Sequence, residues 1–569
     1  MSLINSVSPV KAKYRTVLKS LKLLLAFFAV TLCAASFFFR DASAARVPGA
    51  QVSAPVQTAV QTPVQTGALT PRERRGKALY LRGESASGRE IVAVIGEIDV
   101  PGSTLNCAGC HGLKGEGKSE GGITAGSLTW AHLLKPGGHT HPTGRKHGPF
   151  DEAAFARAVT LGLDPDRNEL VAAMPRYRMS AEDLADLVAY LKRIETDRDP
   201  GLSDNSVKVG TILPATGALA ETGAAMRDVL AAYFEDVNSR GGIYNRKLEL
   251  RVAEMGTDAA STAANVRGFA AREQVFALVG GFSAGADREL AALAAEQELP
   301  FVGPSTLLTQ NASPVNRQVF YLMPGVAEQS RALVNFAAGR PGLLKAKLAI
   351  VYPESELAQA AAAAAEDQAK KAGWGAAAVT RVAYPRAGFD APALVRRLQR
   401  EGVEALFFLG SNGEDSALIK EAATANWTPS VFLLGVFAAH DLTGAVPLDF
   451  TDKVFLAFPT VPANVSPAGM AEFRALQEKY KFAPRQVASQ LAAFAAAKVF
   501  VESLKRAGRD LTRENLVAAL EGLYEYETGV TPRITFGPNR RVGAAGAGIV
   551  TINPEKKEFK LVGDWVKAF

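Results

Sequence analysis

The sequence is poor in cysteine. Its 569 residues hold three, beside six histidines, seven methionines and four tryptophans. Two of the three, Cys107 and Cys110, sit in one short stretch, and Cys33 lies far upstream. A disulfide framework is excluded by that scarcity. A four-thiolate zinc site is excluded too, because no second C-x-x-C exists. Charge of one sign is also scarce. The formal net charge is +7, but six of the 64 basic residues and one of the 57 acidic residues lie within residues 1–44. The rest nets only +2, so charge gives no argument for nucleic acid. Long apolar runs are limited to Leu23–Phe39, so membrane contact is expected only through the N-terminal segment. No nucleophile–base motif is apparent, and the chain is not expected to be an enzyme.

What is present divides the chain. Basic residues precede the run Leu23–Phe39, and Ala42-Ser43-Ala44 follows with the small-x-small pattern of a signal-peptidase site. Residues 1–44 are therefore expected to be a signal peptide or an N-terminal membrane anchor. The remainder is expected in the periplasm. Residues 45–70 repeat Pro-Val-Gln-Thr and read as an extended linker. Residues 71–196 form one expected domain. The polar stretch 196–206 reads as a boundary that few contacts should cross. Beyond it, apolar runs of strand length alternate with helical stretches, among them "VKVGTILP", "KLAIVYP", "ALFFLG" and "KVFLAF". Such alternation implies parallel sheets covered on both faces. The fold class expected is thus multidomain: a small all-α domain, then a two-lobed α/β domain over 206–569.

"TLNCAGCHGLKGEG" carries the first chemistry. Cys107, Cys110 and His111 make a C-x-x-C-H pattern. Two thiols at this spacing reach the two vinyl groups of a haem, and the adjacent imidazole meets the iron. A redox dithiol has no need of His111, whereas spacing alone leaves a plain disulfide open. One covalent haem c is expected. "LVAAMPRYRMSAEDLADLVAYLKRIE" supplies Met174 and Met179 ahead of a helix capped by Ser180. This whole segment resembles the C-terminal part of a class I cytochrome c. The resemblance spans roughly 71–196 and implies that Met174, before Pro175, is the second axial ligand. Met179 then falls at a packing position. His139, His141 and His147, in "GGHTHPTGRKHG", are read as solvated loop residues rather than ligands or a metal cluster.

The stretches "VKVGTILPATGALAETGAAMRDVLAAYFEDVNSRGG" and "ALVGGFSAGADRELAALAAEQELPFVGPSTL" resemble the start of a type I periplasmic solute-binding protein of the branched-chain amino-acid or extracellular-ligand-receptor group. That resemblance implies two lobes joined by three crossovers and closing over a small ligand. The family's carboxylate-binding hydroxyls fall at Ala284 and near Ser305-Thr306, with Ser283 able to replace the hydroxyl lost at Ala284. In the far lobe, the places of the family's aromatic residue and acid fall near Leu357 and Phe437. Asn412, Glu414, His440 and Asp441 keep some polarity there. A Phe in place of an acid speaks against an ordinary α-amino acid, and a small carboxylate is expected instead. "GAAGAG", residues 543–548, is no dinucleotide fingerprint, because no helix follows it.

Together these readings describe a periplasmic solute-binding protein that carries out electron transfer or redox sensing through one haem. Two alternatives remain. One is the substrate-binding component of an ABC permease for amino acids or related acids. The other is the electron acceptor of a periplasmic dehydrogenase.

Overall fold

A computed structural model describes residues 69–569, apart from 142–143, 312–313, 412 and 440. The signal segment, Cys33 and all but the last two residues of the expected linker lie outside the described residues.

The first domain begins where Thr70 caps the helix Pro71–Arg82 through a capping box with Glu73. That helix crosses Ala181–Leu191, which Ser180 caps in the same manner with Asp183. The crossing is close because Gly76 has no side chain: a Cβ there would stand 2.0 Å from the Asp186 carbonyl oxygen. Arg75 then grips the Asp186 carboxylate with two hydrogen bonds of 2.6 and 2.9 Å. Tyr80 and Tyr190 complete the seam, with ring centroids 5.8 Å apart. The expectation of an all-α domain needs one correction. Val92–Ile95 pairs with Ile98–Pro101 and with Arg176–Arg178 in an antiparallel sheet. These segments are three or four residues long and only two of their residues are buried, so no alternating pattern marked them in the sequence.

The second domain has two lobes. In the first, five parallel strands run in the order Val319–Phe320, Phe301–Val302, Ala277–Val279, Ser206–Leu213, Lys247–Glu254. In the second, Val379–Tyr384, Lys347–Pro353, Val403–Phe408, Ser430–Leu434 and Val454–Phe458 are parallel neighbours. Gly546–Asn553 and Glu558–Leu561 extend that sheet antiparallel. The central strands are buried on both faces, as their unbroken apolar runs require. Val379–Tyr384 escaped the sequence reading because it is an edge strand with a mixed pattern. The chain passes between lobes three times, after Phe320, after Phe458 and before Gly546. Helix Val487–Ala507 is long and apolar enough to cross a membrane, yet its Phe494, Val499 and Phe500 sit in the first-lobe core.

The boundary at 196–206 does not behave as a sparse linker. Lys77, from the first helix, lies 2.7 Å from Asp197 and 3.2 Å from Asp199. Asp199 also accepts the Arg513 backbone N–H at 2.5 Å. The Arg513 guanidinium donates to the carbonyls of Val275, Phe276 and Gln297 at 2.7–3.0 Å. Arg82 reaches Glu298 and Glu514. Burial alone would raise the Asp199 carboxyl, but Lys77 and Arg513 hold it below the ordinary aspartate range. The two domains are therefore fastened by a buried ion cluster rather than tethered.

Candidate functional site

Two sites stand on this scaffold. The first is a cavity of about 390 Å³ in the first domain, lined by Cys107, Cys110, His111 and Met174 among others. Asn106 caps the short helix Cys107–His111 by accepting the Gly109 N–H at 2.9 Å. Gly112 follows at φ +81°, a conformation that favours glycine, and its carbonyl takes the Tyr80 hydroxyl at 2.6 Å. His111 is 8% exposed. Its Nδ1 lies 2.7 Å from the Gly126 carbonyl, so Nδ1 carries the hydrogen and Nε2 keeps a lone pair. That Nε2 is buried without a hydrogen-bond partner. Burial lowers the imidazole's proton affinity, with the Gly126 bond opposing it. An orphaned ring nitrogen beside a large cavity is costly unless something fills it.

The wall opposite in sequence is built from residues 170–179. Arg176 donates to the carbonyls of Met174 and Leu170, tying the loop that carries Met174. Gly162 makes room for this guanidinium: a Cβ there would stand 1.6 Å from Arg176 Nε. The Tyr177 hydroxyl reaches the Leu105 carbonyl at 2.8 Å and so links this loop to the cysteine loop. Met174 and Met179 both pack against the domain core, and of the two it is Met174 that lines the cavity. A haem fits this set: two thiols, an imidazole with a free lone pair, and a thioether around one cavity. Burial pushes the Cys107 thiol up to about 12, which ill suits a redox dithiol that works as a thiolate.

The histidines depart from the expectation of solvated loop residues. His139, His141 and His147 line the same cavity, joined by His132. His147 is buried, and its ring centroid stands 5.2 Å from that of His139 and 5.1 Å from that of His141. The folding-back of the ribbon His139–Thr140 with Lys146–His147 places them there. Glycines and a proline in "GGHTHPTG" gave the stretch a loop signature that concealed this.

The second site lies at the carboxyl ends of the first-lobe strands. Phe282 and Ser305 form a parallel bridge, which sets the 283–285 turn beside Ser305-Thr306. The four first-lobe candidates, Ser283, Ala284, Ser305 and Thr306, are thus brought together. The hydroxyls of Ser283 and Thr306, however, meet a carboxylate of the chain itself. Ser283 Oγ donates to Asp287 Oδ1 at 2.8 Å, and the Gly285 N–H reaches Oδ2 at 3.3 Å. Asp287 is 7% exposed. Burial raises its carboxyl, against the opposing pull of Thr306, Ser283 and the Gly285 amide, and Glu356 of the other lobe adds to the rise. Sequence reasoning missed Asp287, although "SAGAD" displays it four residues after Ser283.

In the second lobe, Phe437 and Leu357 pack against the lobe's core, as do Leu307 and Leu308 arriving from beside Thr306. Asn412 and His440 lie outside the described residues. Glu414 is engaged by the Ser411 N–H and the Tyr384 hydroxyl at 2.9 and 2.7 Å. Asp415 accepts the Ala439 N–H at 2.9 Å.

Comparison with known proteins covers both regions. A family model described as periplasmic binding protein matches residues 206–557, and one described as cytochrome c matches 101–195. The Leu/Ile/Val-binding protein homolog 8 of Brucella abortus (strain 2308) is 24% identical over 349 residues, covering 59% of this chain and 85% of its own. Homolog 7 of Brucella melitensis (biotype 1, strain 16M) is 23% identical over 311 residues, covering 53% and 77%. A solved structure from Rhodospirillum rubrum, assigned to branched-chain amino acid ABC transport, shares the fold at a TM-score of 0.51 and 16% identity. That match covers 63% of this chain and all of the other.

Proposed function

This chain belongs to the periplasmic binding protein family and carries a cytochrome c domain ahead of its two lobes; from that premise we propose that it is a periplasmic protein that couples capture of a small organic solute to electron transfer or redox sensing through one haem. The observation that carries the redox half is His111 Nε2, buried and without a partner, in the cavity it shares with Cys107, Cys110 and Met174. When bound, the haem supplies one-electron chemistry. Cys107 and Cys110 would hold it covalently, and His111 Nε2 and the Met174 thioether would meet its iron. A Met174 thioether on the iron would raise the potential and leave no open position, which favours electron transfer over catalysis; the protein is not an enzyme on this reading. The spectrum tests it. A Met-to-iron band should vanish in Met174→Ala and persist in Met179→Ala, and the reverse pattern reassigns the ligand.

For the solute, Asp287 weighs against the expected carboxylate. Two of the three hydroxyls foreseen for a ligand carboxylate, those of Ser283 and Thr306, already serve Asp287, and a second carboxylate beside it would meet like charge. The site instead suits a solute that brings a donor, an ammonium or a hydroxyl, to Asp287, with its apolar part near Leu357 and Phe437. The relatives named for leucine, isoleucine and valine favour a ligand of that size. Delivery to an ABC permease is the second reading, in keeping with the ABC transport assignment of the Rhodospirillum rubrum structure; a periplasmic redox partner is the counterpart the haem would need. Titration with leucine, its amine without the carboxylate and its acid without the amino group separates these. Binding of the acid alone overturns the assignment of Asp287.

A further inference from the structure

Among the described residues, one ion pair joins the two lobes. Arg288 Nη2 lies 2.7 Å from Glu356 Oε1, and both side chains are exposed. Arg288 sits in the first turn of the first-lobe helix Asp287–Glu296. Glu356 opens the second-lobe helix Glu356–Ala372, which Ser355 caps by accepting the Ala358 N–H at 3.3 Å. The chain neighbours of the pair give it meaning. Asp287, just before Arg288, is the buried carboxylate assigned above to the solute's donor. Leu357, just after Glu356, is assigned to the solute's apolar part and packs against the second-lobe core. The pair thus ties together the two sides of the solute site, one on each lobe. Burial chiefly, and with it the charge of Glu356, raises the Asp287 carboxyl, so Glu356 stands near enough to be felt there.

The two partners are held differently by their own helices. A carboxylate in a first turn is favoured by the positive end of the helix, so Glu356 is stable there alone. A guanidinium in a first turn is not. Asp287 shares the turn with Arg288, but its carboxylate oxygens are taken by the Ser283 hydroxyl and the Gly285 N–H. The partner that Arg288 does reach belongs to the other lobe. That contact exists when the lobes are together and is lost when they part, which is the differential interaction a closure needs.

We propose that Arg288 and Glu356 form a latch at the rim of the cleft, which holds the lobes together over a solute lodged between Asp287 and Leu357 and so lengthens its stay. The inference rests on the solute site proposed above. Both are positioning residues, since they touch each other and act on the solute through the closure. An exposed pair contributes little, so the latch biases the closure rather than dictating it. The expected effect is about two- to fivefold in affinity, expressed in the dissociation rate.

The experiment uses the full-length holoprotein, isothermal titration and stopped-flow. The probes are isopentylamine and isopentyl alcohol, which share leucine's side-chain shape and differ in charge. Arg288→Gln and Glu356→Gln should each speed dissociation of both probes about two- to fivefold and leave association unchanged. The double variant should be no worse than either single one. Salt of about 1 M should bring the wild type to the level of the variants. Arg288→Glu, which sets two carboxylates face to face, should lose more, and adding Glu356→Arg should restore binding. An effect on the amine alone, opposite in sign for Arg288→Gln and Glu356→Gln, is steering of charge and overturns the latch. Additive losses in the double variant overturn it too. If neither probe binds the wild type, the solute reading falls, and small-angle scattering from the full-length protein without probe decides the latch. Arg288→Glu should then enlarge the radius of gyration at low salt, and the exchanged pair should return it. Identical scattering curves overturn the latch.

Discussion

The two sites differ in how they are made. The cysteine site is written within five consecutive residues, Cys107 to His111, and its covalent logic follows from spacing alone. The solute site is assembled from turns after separate strands, where Ser283, Ser305 and Phe437 meet neighbours from other elements. The domains differ likewise in what supports them. The lobes bury continuous apolar strands and four hydrophobic clusters of their own. The first domain has one cluster, set around a large cavity. A site held by bonds tolerates a small core, whereas a site held by hydrogen bonds needs a rigid frame.

The strongest way to break this comparison is to remove the cofactor's anchors. A dry cavity of the observed 390 Å³ would represent on the order of 9 kcal/mol, comparable with the whole stability of a small domain. Cys107→Ala with Cys110→Ala should abolish covalent haem staining and the first domain's cooperative melting, while the lobes still unfold cooperatively. Calorimetry reads both, and an undiminished first transition would show that this domain needs no cofactor.

The next effect concerns the joint between the regions. Asp199→Asn leaves Lys77 short of a partner in a buried cluster, a loss of about 3–5 kcal/mol. Because the folded-state carboxyl lies below its ordinary value, its contribution is complete above the usual aspartate range. It is lost as pH falls through the lowered value. Thermal melts across acidic pH should show this loss in the wild type and a flatter profile in Asp199→Asn. Identical profiles would mean that the two domains are merely tethered.

A smaller effect falls on the solute site. Asp287→Ala removes a charged acceptor, which should cost a donor-bearing solute about 1.5–3 kcal/mol, roughly tenfold to a hundredfold in affinity. Isothermal titration with the amine and the acid should move in opposite directions. A parallel change in both would remove Asp287 from the contact. The smallest expected effect is local: Ser180→Ala deletes a helix cap and should cost about 1 kcal/mol, confined to the melting of the first domain. An equal shift of the lobes would show tighter coupling between the regions than the ion cluster alone explains.

By itself, the sequence determined the chemistry that rests on local spacing and period. C-x-x-C-H defined the haem motif. The apolar runs at 207–214, 347–353 and 453–458 marked strands that the structure places at 206–213, 347–353 and 454–458, and Ser180 with Asp183 marked a helix start. Other features required the tertiary structure, because they depend on which distant side chains are pressed together. His139, His141 and His147 looked solvated until the ribbon folded them onto the cavity wall. Asp199 looked like part of a linker until Arg513, more than three hundred residues away, was brought to it. The hydroxyls of Ser283 and Thr306 looked free until Asp287 turned toward them. Periodicity records which face of an element is buried. It does not record which polar group waits on the other side, and in a low-dielectric interior that partner sets the charge and function of the site.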